Sequence, residues 1–261
     1  MLDELRNHWR EYLMEASGLA GFIIVASLVT TVLEHPDLFV MKGELGYYPL
    51  LRRVPLGLLL GAYIATIVYL FGERSGAHIN PAVTGAFFYL GKINYVNATF
   101  YVVAQFSGAI FAALMMSVVL GVYYEHPSIH YVTTIPGPGA GATYKAFVAE
   151  FIISFILMFV LLIVISSKRF EKYAFIVTGV LIAIYLVVET PYSGMSLNPA
   201  RSFGSAFAAG QWRELWIYFT APVLAMLAAA QCFQLLKRMW LRNAAWFKES
   251  STHPQRVPPE A

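Results

Sequence analysis

An all-α membrane protein, with six transmembrane helices plus two half-helices in an inverted repeat, is the fold class this sequence predicts. Three observations predict it. The chain is 58% hydrophobic and 13% charged, against about 45–50% and about 25% in soluble domains, and its mean hydropathy is +0.61. Six apolar runs, at 13–33, 54–71, 100–124, 146–165, 173–188 and 215–236, lie near the 17–25 or so residues that a membrane helix needs. The segment "SGAHINPAVT" at 75–84 returns as "SGMSLNPARS" at 193–202, 118 positions on. A length of 261 residues would allow one or two soluble domains, but the apolar runs overrule that prior.

Residues 1–11 carry Asp3, Glu4, Arg6, Arg10 and Glu11, and no small-residue cleavage site closes the run that follows. The first run therefore reads as a retained span rather than a signal peptide. Alternate loops divide the basic residues unevenly. The side with both termini holds Arg6, Arg10, Arg74, Lys92, Lys168, Arg169, Lys172, Lys237, Arg238, Arg242, Lys248 and Arg256. The other side holds Lys42, Arg52, Arg53, Lys145 and Arg213, with Arg201 left aside. That bias places the N- and C-termini in the cytoplasm of a plasma (inner) membrane, although Arg52 and Arg53 run against it. The single cysteine, Cys232, allows no internal disulfide and reads as buried in the last span.

Duplication organises the chain. "YLMEASGLAGFIIV" sets Glu15 near the start of the first span, and "AFVAEFIISFILMFV" sets Glu150 at the same place in the fourth. Each half continues with a second span, a Ser-Gly turn, Asn-Pro-Ala, a short apolar segment and a third span. Three spans per half is odd, so the second half enters from the opposite face, and the functional site of such a repeat tends to lie at the midplane. One membrane domain, 1–261, is thus expected to comprise repeats at about 11–124 and 144–241. The loop 125–143, rich in Pro and Gly, links them, and a disordered tail covers 242–261.

The Asn-Pro-Ala segments begin helices. Asn is a strong N-cap, and Pro suits the first helical position because its missing N–H had no partner there. Asn80-Pro81 and Asn198-Pro199 each open a stretch of about eleven or twelve residues, at about 1.5 Å per residue half of a bilayer core of about 30 Å. The irregular backbone before them, at 76–79 and 194–197, must line a cavity, because unpaired carbonyls cannot face lipid. Inversion then brings two positive helix ends together, each worth about half a charge. A lone Asn-Pro-Ala would be an ordinary helix start; two in matching positions are not.

Both motifs, the paired Glu15 and Glu150, and "AQFSGAIFA" resemble the aquaporin (major intrinsic protein) family from about residue 11 to about 241. The resemblance implies a right-handed bundle with one pore per subunit, assembled as a homotetramer in the lipid bilayer. It implies passive conduction of water and small neutral solutes, with no enzyme activity, no cofactor or metal and no nucleic-acid partner. Pore residues would be Asn80, Asn198, Arg201, Leu60, Leu186, Met195, His78, Gly76, Ala77, Gly194 and Ser196. Glu15, Glu150, Pro81 and Pro199 would support the pore loops. Arg201 would be the basic member of an outer constriction, where an Arg and half-helix dipoles bar ions in pores of this type.

Ionisable Glu15 and Glu150 inside a membrane are functional candidates by default, but one per half at matching positions suits loop support better than proton relay. His78 reads as a structural neighbour of the pore. Gly57 and Gly61 form a GxxxG for close helix packing. Ser202, Ala206, Tyr218 and Phe219, with the short segment between the motifs, fit the family's water type rather than its glycerol type. The constriction departs from it: Leu60 stands where Phe is usual, Leu186 where His is usual (or Tyr185, if the register slips by one), and Met195 where Cys or Thr is frequent. A small neutral solute facilitator (glycerol, peroxide or ammonia) is the alternative. A coupled transporter using Arg201 and Glu189, and a non-conducting scaffold, are readings of other classes.

Overall fold

The computed structural model describes residues 2–252. Among them six helices are long and apolar enough to cross a membrane. They are α1 (Leu2–Glu34), α2 (Pro49–Ser75), α4 (Tyr95–Leu120), α5 (Ala142–Ile165), α6 (Ala174–Val188) and α8 (Leu215–Thr252). Between them lie two short helices, α3 (Pro81–Tyr89) and α7 (Pro199–Ala209), of 9 and 11 residues. Their lengths match the half-crossings expected from the two motifs.

Local chemistry sets the ends. Pro49 opens α2, and Gly76 closes it at φ 81, a left-handed conformation that glycine adopts at no steric cost. Asn94 caps α4 by accepting from the Asn97 amide at 2.8 Å. The apolar run expected to extend over 100–124 breaks at Gly121, φ 51, and Val122–Glu125 turns away as a separate short helix. The tail expected to be disordered from 242 is helical through Thr252, because α8 continues past its membrane span; residues 253–261 lie outside the described residues. Cys232 is only partly buried.

Packing interlocks the two halves. Helix α1 lies along α4, and α5 along α8, but α2 packs on α6, α7 on α4 and α3 on α8. Each half-helix is thus seated against a long helix of the other half. Gly57 and Gly61 account for the closeness of α2 and α6: a Cβ on Gly61 would lie 2.5 Å from the Gly179 carbonyl, and one on Gly57 2.6 Å from that of Ala183. The outward faces are apolar, with Val118 85%, Leu58 62% and Phe111 66% exposed. That is the reverse of a soluble surface, and it suits a hydrocarbon surround.

The interior carries what the exterior lacks. Glu15, Gln105, Glu150 and Ser154 are fully buried. Arg52, one of the two basic residues that oppose the charge bias, is paired with Glu34 at 3.0 Å and also donates to the Gly46 carbonyl at 2.6 Å. Its charge is spent locally, which weakens it as a topological signal.

Candidate functional site

The two half-helices meet through their caps. Asn80 Oδ1 accepts from the Ala82 amide at 2.8 Å, and Asn198 Oδ1 from the Ala200 and Arg201 amides at 3.0 and 3.2 Å. The amide ends then cross over. Asn80 Nδ2 donates to the Leu197 carbonyl and Asn198 Nδ2 to the Ile79 carbonyl, both at 2.8 Å. Each Nδ2 has two hydrogens, so each asparagine caps its own helix, ties down the opposite loop and retains one further hydrogen.

The loops before the caps are strained. Gly76, Ala77 and Ile79 have φ of 81, 46 and 41, and Gly194, Met195 and Leu197 have 79, 54 and 59. A non-glycine residue held there costs on the order of 1–3 kcal/mol. Buried carboxylates hold it. Glu15 accepts from Ser75 Oγ and the His78 amide, each at 2.9 Å, from Gln105 Nε2 at 2.8 Å, and from the Ile79 amide. Glu150 accepts from Ser193 Oγ and the Ser196 amide, each at 2.6 Å, and from the Leu197 amide at 2.8 Å. With its N–H groups turned to a carboxylate, each loop turns carbonyls the other way. Tyr101 and Tyr218 clamp the starts of the loops, donating to the Ser75 and Ser193 carbonyls at 2.8 and 2.6 Å.

A cavity of about 710 Å³ opens beside the two loops. Its rim, with Tyr69, Glu73, Glu171 and Lys172, lies on the face that carries the start of α1. Its wall takes in Gly76, Ala77, His78, Asn80, Met195, Ser196, Asn198 and Arg201. Gly194 stands outside this wall, against the Thr134 backbone. Leu60 and Leu186 are not on it either. They are buried in one apolar cluster with Met195 and Tyr185, beyond Ile182 of the α6 wall. Phe175, Thr178 and Ile182 line the cavity at helical spacing, and that stripe continues onto both Tyr185 and Leu186. Pro81 and Pro199 occupy the first position of their half-helices.

Arg201 is buried at 8% exposure. Its Nη1 donates to the Val132 carbonyl at 2.7 Å and approaches Ser205 Oγ at 3.4 Å. Val132 belongs to a left-handed turn in which His130, Tyr131 and Val132 all have positive φ. The loop 125–143 is itself strapped down: Thr134 Oγ1 pairs with Ser202 Oγ at 2.6 Å, and the Gly137 amide donates to the Tyr192 carbonyl at 2.9 Å. His78 stacks on Phe87 at 4.6 Å and shares Nδ1 with Thr84 Oγ1 at 3.2 Å. Packing and a local hydrogen bond account for it. His126 stands against the ring of His35 at 4.7 Å, away from Arg201, while His130 Nδ1 reaches Thr133 Oγ1.

Several contributors were not given a loop-holding role from sequence: Ser75, Ser193, Gln105, Tyr101, Tyr218 and the Val132 carbonyl. A signal for four of them was present. Ser75 and Ser193 repeat at the spacing of Asn80 and Asn198, and Tyr101 and Tyr218 repeat one residue closer. Gln105 has no counterpart, since the residue four beyond Tyr218 is Pro222. A backbone carbonyl leaves no trace in a sequence.

The chain matches the major intrinsic protein family profile over residues 3–233. It is 34% identical over 192 residues to "Nodulin-26" of Glycine max, covering 73% of this chain and 68% of that protein. It is 37% identical over 178 residues to "Aquaporin NIP3-1" of Zea mays, covering 68% and 57%. It is 32% identical over 235 residues to "Aquaporin NIP2-1" of Zea mays, covering 88% and 73%. The match to "Aquaporin NIP3-1" therefore spans less than two thirds of that relative's length. The fold is that of the aquaglyceroporin from Plasmodium falciparum, with a TM-score of 0.71 at 21% identity over 86% of this chain and 94% of that one. Bilayer-length helices, two capped half-helices and the profile match agree: the chain belongs to the major intrinsic protein family, whose members are passive channels and not enzymes.

Proposed function

We propose that the protein is a passive channel that conducts water together with small uncharged solutes and excludes protons and ions. The crossed asparagines carry this reading. One remaining hydrogen on each of Asn80 and Asn198 offers two donors to a single water oxygen. Such a water must aim its own hydrogens outward, towards opposite ends of the file, which breaks the chain along which a proton would hop. Two helix N-termini, each about half a positive charge, and the Arg201 guanidinium oppose cations at the same place.

Two of the three relatives are named aquaporins and the structural neighbour an aquaglyceroporin, so both names support a pore for water or small solutes. Met195 and Arg201 line the cavity, and in this reading they form the constriction with Leu60 and Leu186, which are buried in one apolar cluster with Met195. Such a constriction favours the wider range. An apolar wall gives water fewer partners as it sheds its shell, whereas a solute with a carbon face loses less. Gly76, Ala77, His78 and Ser196 complete the pathway in this reading, with Glu15, Glu150, Pro81 and Pro199 in support and Gly194 as the turn behind the second loop. The two repeats act as one channel domain in a plasma membrane, with both termini cytoplasmic, as the charge bias indicates, and with subunits assembled as a homotetramer.

Stopped-flow light scattering on proteoliposomes tests the reading. Osmotic shrinkage is expected to be faster than in empty liposomes, with a lower activation energy. Shrinkage equal to that of empty liposomes would support a non-conducting scaffold, and a wild-type proton current coupled to solute movement would support a transporter. The filter is tested by Leu60→Phe with Leu186→His. The ratio of solute to water permeability is expected to fall severalfold, and an unchanged ratio would remove these two leucines from the constriction.

A further inference from the structure

The two carboxylate hubs are not equivalent. Glu15 has a side-chain amide, Gln105 Nε2, as its fourth donor. In the second half the matching position is Pro222, which has no donor, and Glu150 is left with three. What stands near Glu150 instead is a second acid, Glu189, one residue beyond the span that ends at Val188. Glu189 is 4% exposed, and neither of its oxygens has a hydrogen-bond partner among the described residues.

The surroundings offer no way to hold a charge there. Ser193 Oγ and the Met195 amide lie close to Glu189, but both are committed. Ser193 donates its proton to Glu150, and Met195 N donates to Ser193 Oγ. From α5 the group facing Glu189 is Glu150, a like charge; from α8 it is the Tyr218 hydroxyl, which donates to the Ser193 carbonyl. Arg201 exerts its field on Glu150 and Tyr218, and its Nη1 donates to Val132 and Ser205. Two buried carboxyls close enough to feel one another resist ionising together, and the field of Arg201 favours Glu150 as the ionised member.

We propose that Glu189 is a positioning residue that leaves the second pore loop in place only while it carries a proton, so that conduction falls on the alkaline side of neutrality. The proposal rests on the channel reading above. Burial first, and the Glu150 charge second, push the Glu189 carboxyl well above the usual carboxylate range. A carboxyl shifted in that direction stabilises the folded state while protonated. Its contribution is complete below the ordinary carboxylate range and is lost as pH rises through the elevated value. Once ionised, Glu189 sets a second negative charge behind residues 193–197, the segment that carries Met195 and leads into Asn198 and Arg201. The loop then has reason to move outward, and the outer end of the pathway loses its shape.

The test is a pH series from neutral to alkaline on two proteins, wild type and Glu189→Gln, each in proteoliposomes and in detergent. Gln keeps the volume and cannot ionise. Wild-type permeability is expected to fall at least threefold on the alkaline side and to recover on return to neutral pH, while Glu189→Gln stays level. The thermal midpoint in detergent is expected to fall with rising pH in the wild type and less in the variant. The variant controls for tyrosines and lysines that titrate in the same range. A flat wild-type profile in both measurements, or equal falls in the two proteins, overturns the proposal. Vesicles that conduct at no pH overturn the channel reading instead, and the midpoints still decide the role of Glu189.

Discussion

Glu150→Leu is expected to disassemble the second pore loop. The substitution leaves the Ser193 hydroxyl and the Ser196 and Leu197 amides without their acceptor, in a site that is completely buried. Each orphaned donor costs about 1–3 kcal/mol, and the left-handed residues Met195 and Leu197 lose the partner that offsets their strain. Against a total stability of about 5–15 kcal/mol, this is a large share. A fall of on the order of 10 °C in the thermal midpoint is expected, together with loss of water permeability in liposomes. Glu150→Gln, which keeps one acceptor oxygen, should lie between. A Glu150→Leu protein with an unchanged midpoint and full permeability would show that the loop does not depend on this carboxylate.

Arg201→Val combined with Asn198→Asp is expected to admit protons and cations. The aspartate keeps the oxygen that caps α7 and removes the amide donor, while the valine removes the guanidinium near the same half-helix start. A unit charge acting at about 4 Å in a site of effective dielectric about 20 contributes on the order of 4 kcal/mol. Losing even a third of that raises a conductance about tenfold. Proton flux, followed with a dye inside proteoliposomes under an imposed gradient, should therefore rise at least tenfold over wild type. If wild-type vesicles already pass protons at the variant's rate, exclusion does not arise at Asn198 and Arg201.

The parts of this architecture that were legible in sequence are those written in side-chain chemistry at fixed spacing. Asn80-Pro81 and Asn198-Pro199 announce helix starts wherever they occur, and their surroundings of apolar runs make those helices half-crossings. Glu15 and Glu150 are conspicuous because a carboxylate in an apolar run needs a reason. The boundaries were less legible, since hydropathy reads through a change of direction. Gly121 ends α4 although Val122 and Tyr123 continue the apolar pattern, and α8 runs on past the bilayer to Thr252. Partners chosen by the tertiary fold were not legible at all. Nothing near Arg201 in the sequence points to the Val132 carbonyl 69 residues away. Nothing in Ala77, Ile79 or Met195 suggests left-handed backbone, because glycine would be the residue of choice there. Helical periodicity narrows the α6 wall to Tyr185 and Leu186 without choosing, since both lie within half a turn of the Phe175–Thr178–Ile182 stripe.

The crossed amide–carbonyl bonds also constrain biosynthesis. Asn80 and the carbonyl it needs are separated by 117 residues, and Asn198 and its carbonyl by 119. At about 5–20 residues per second, a ribosome takes roughly 6–24 s to supply the second partner. During that interval the first re-entrant segment has its Glu15 hub but not the opposite loop, and α3 has not yet met α8, the helix it rests on. The emerging half can enter the bilayer, but its centre stays unfinished until the last helix arrives. A lesion in either half that displaces its loop therefore leaves the same crossed bonds unmade, and the middle of the chain does not close.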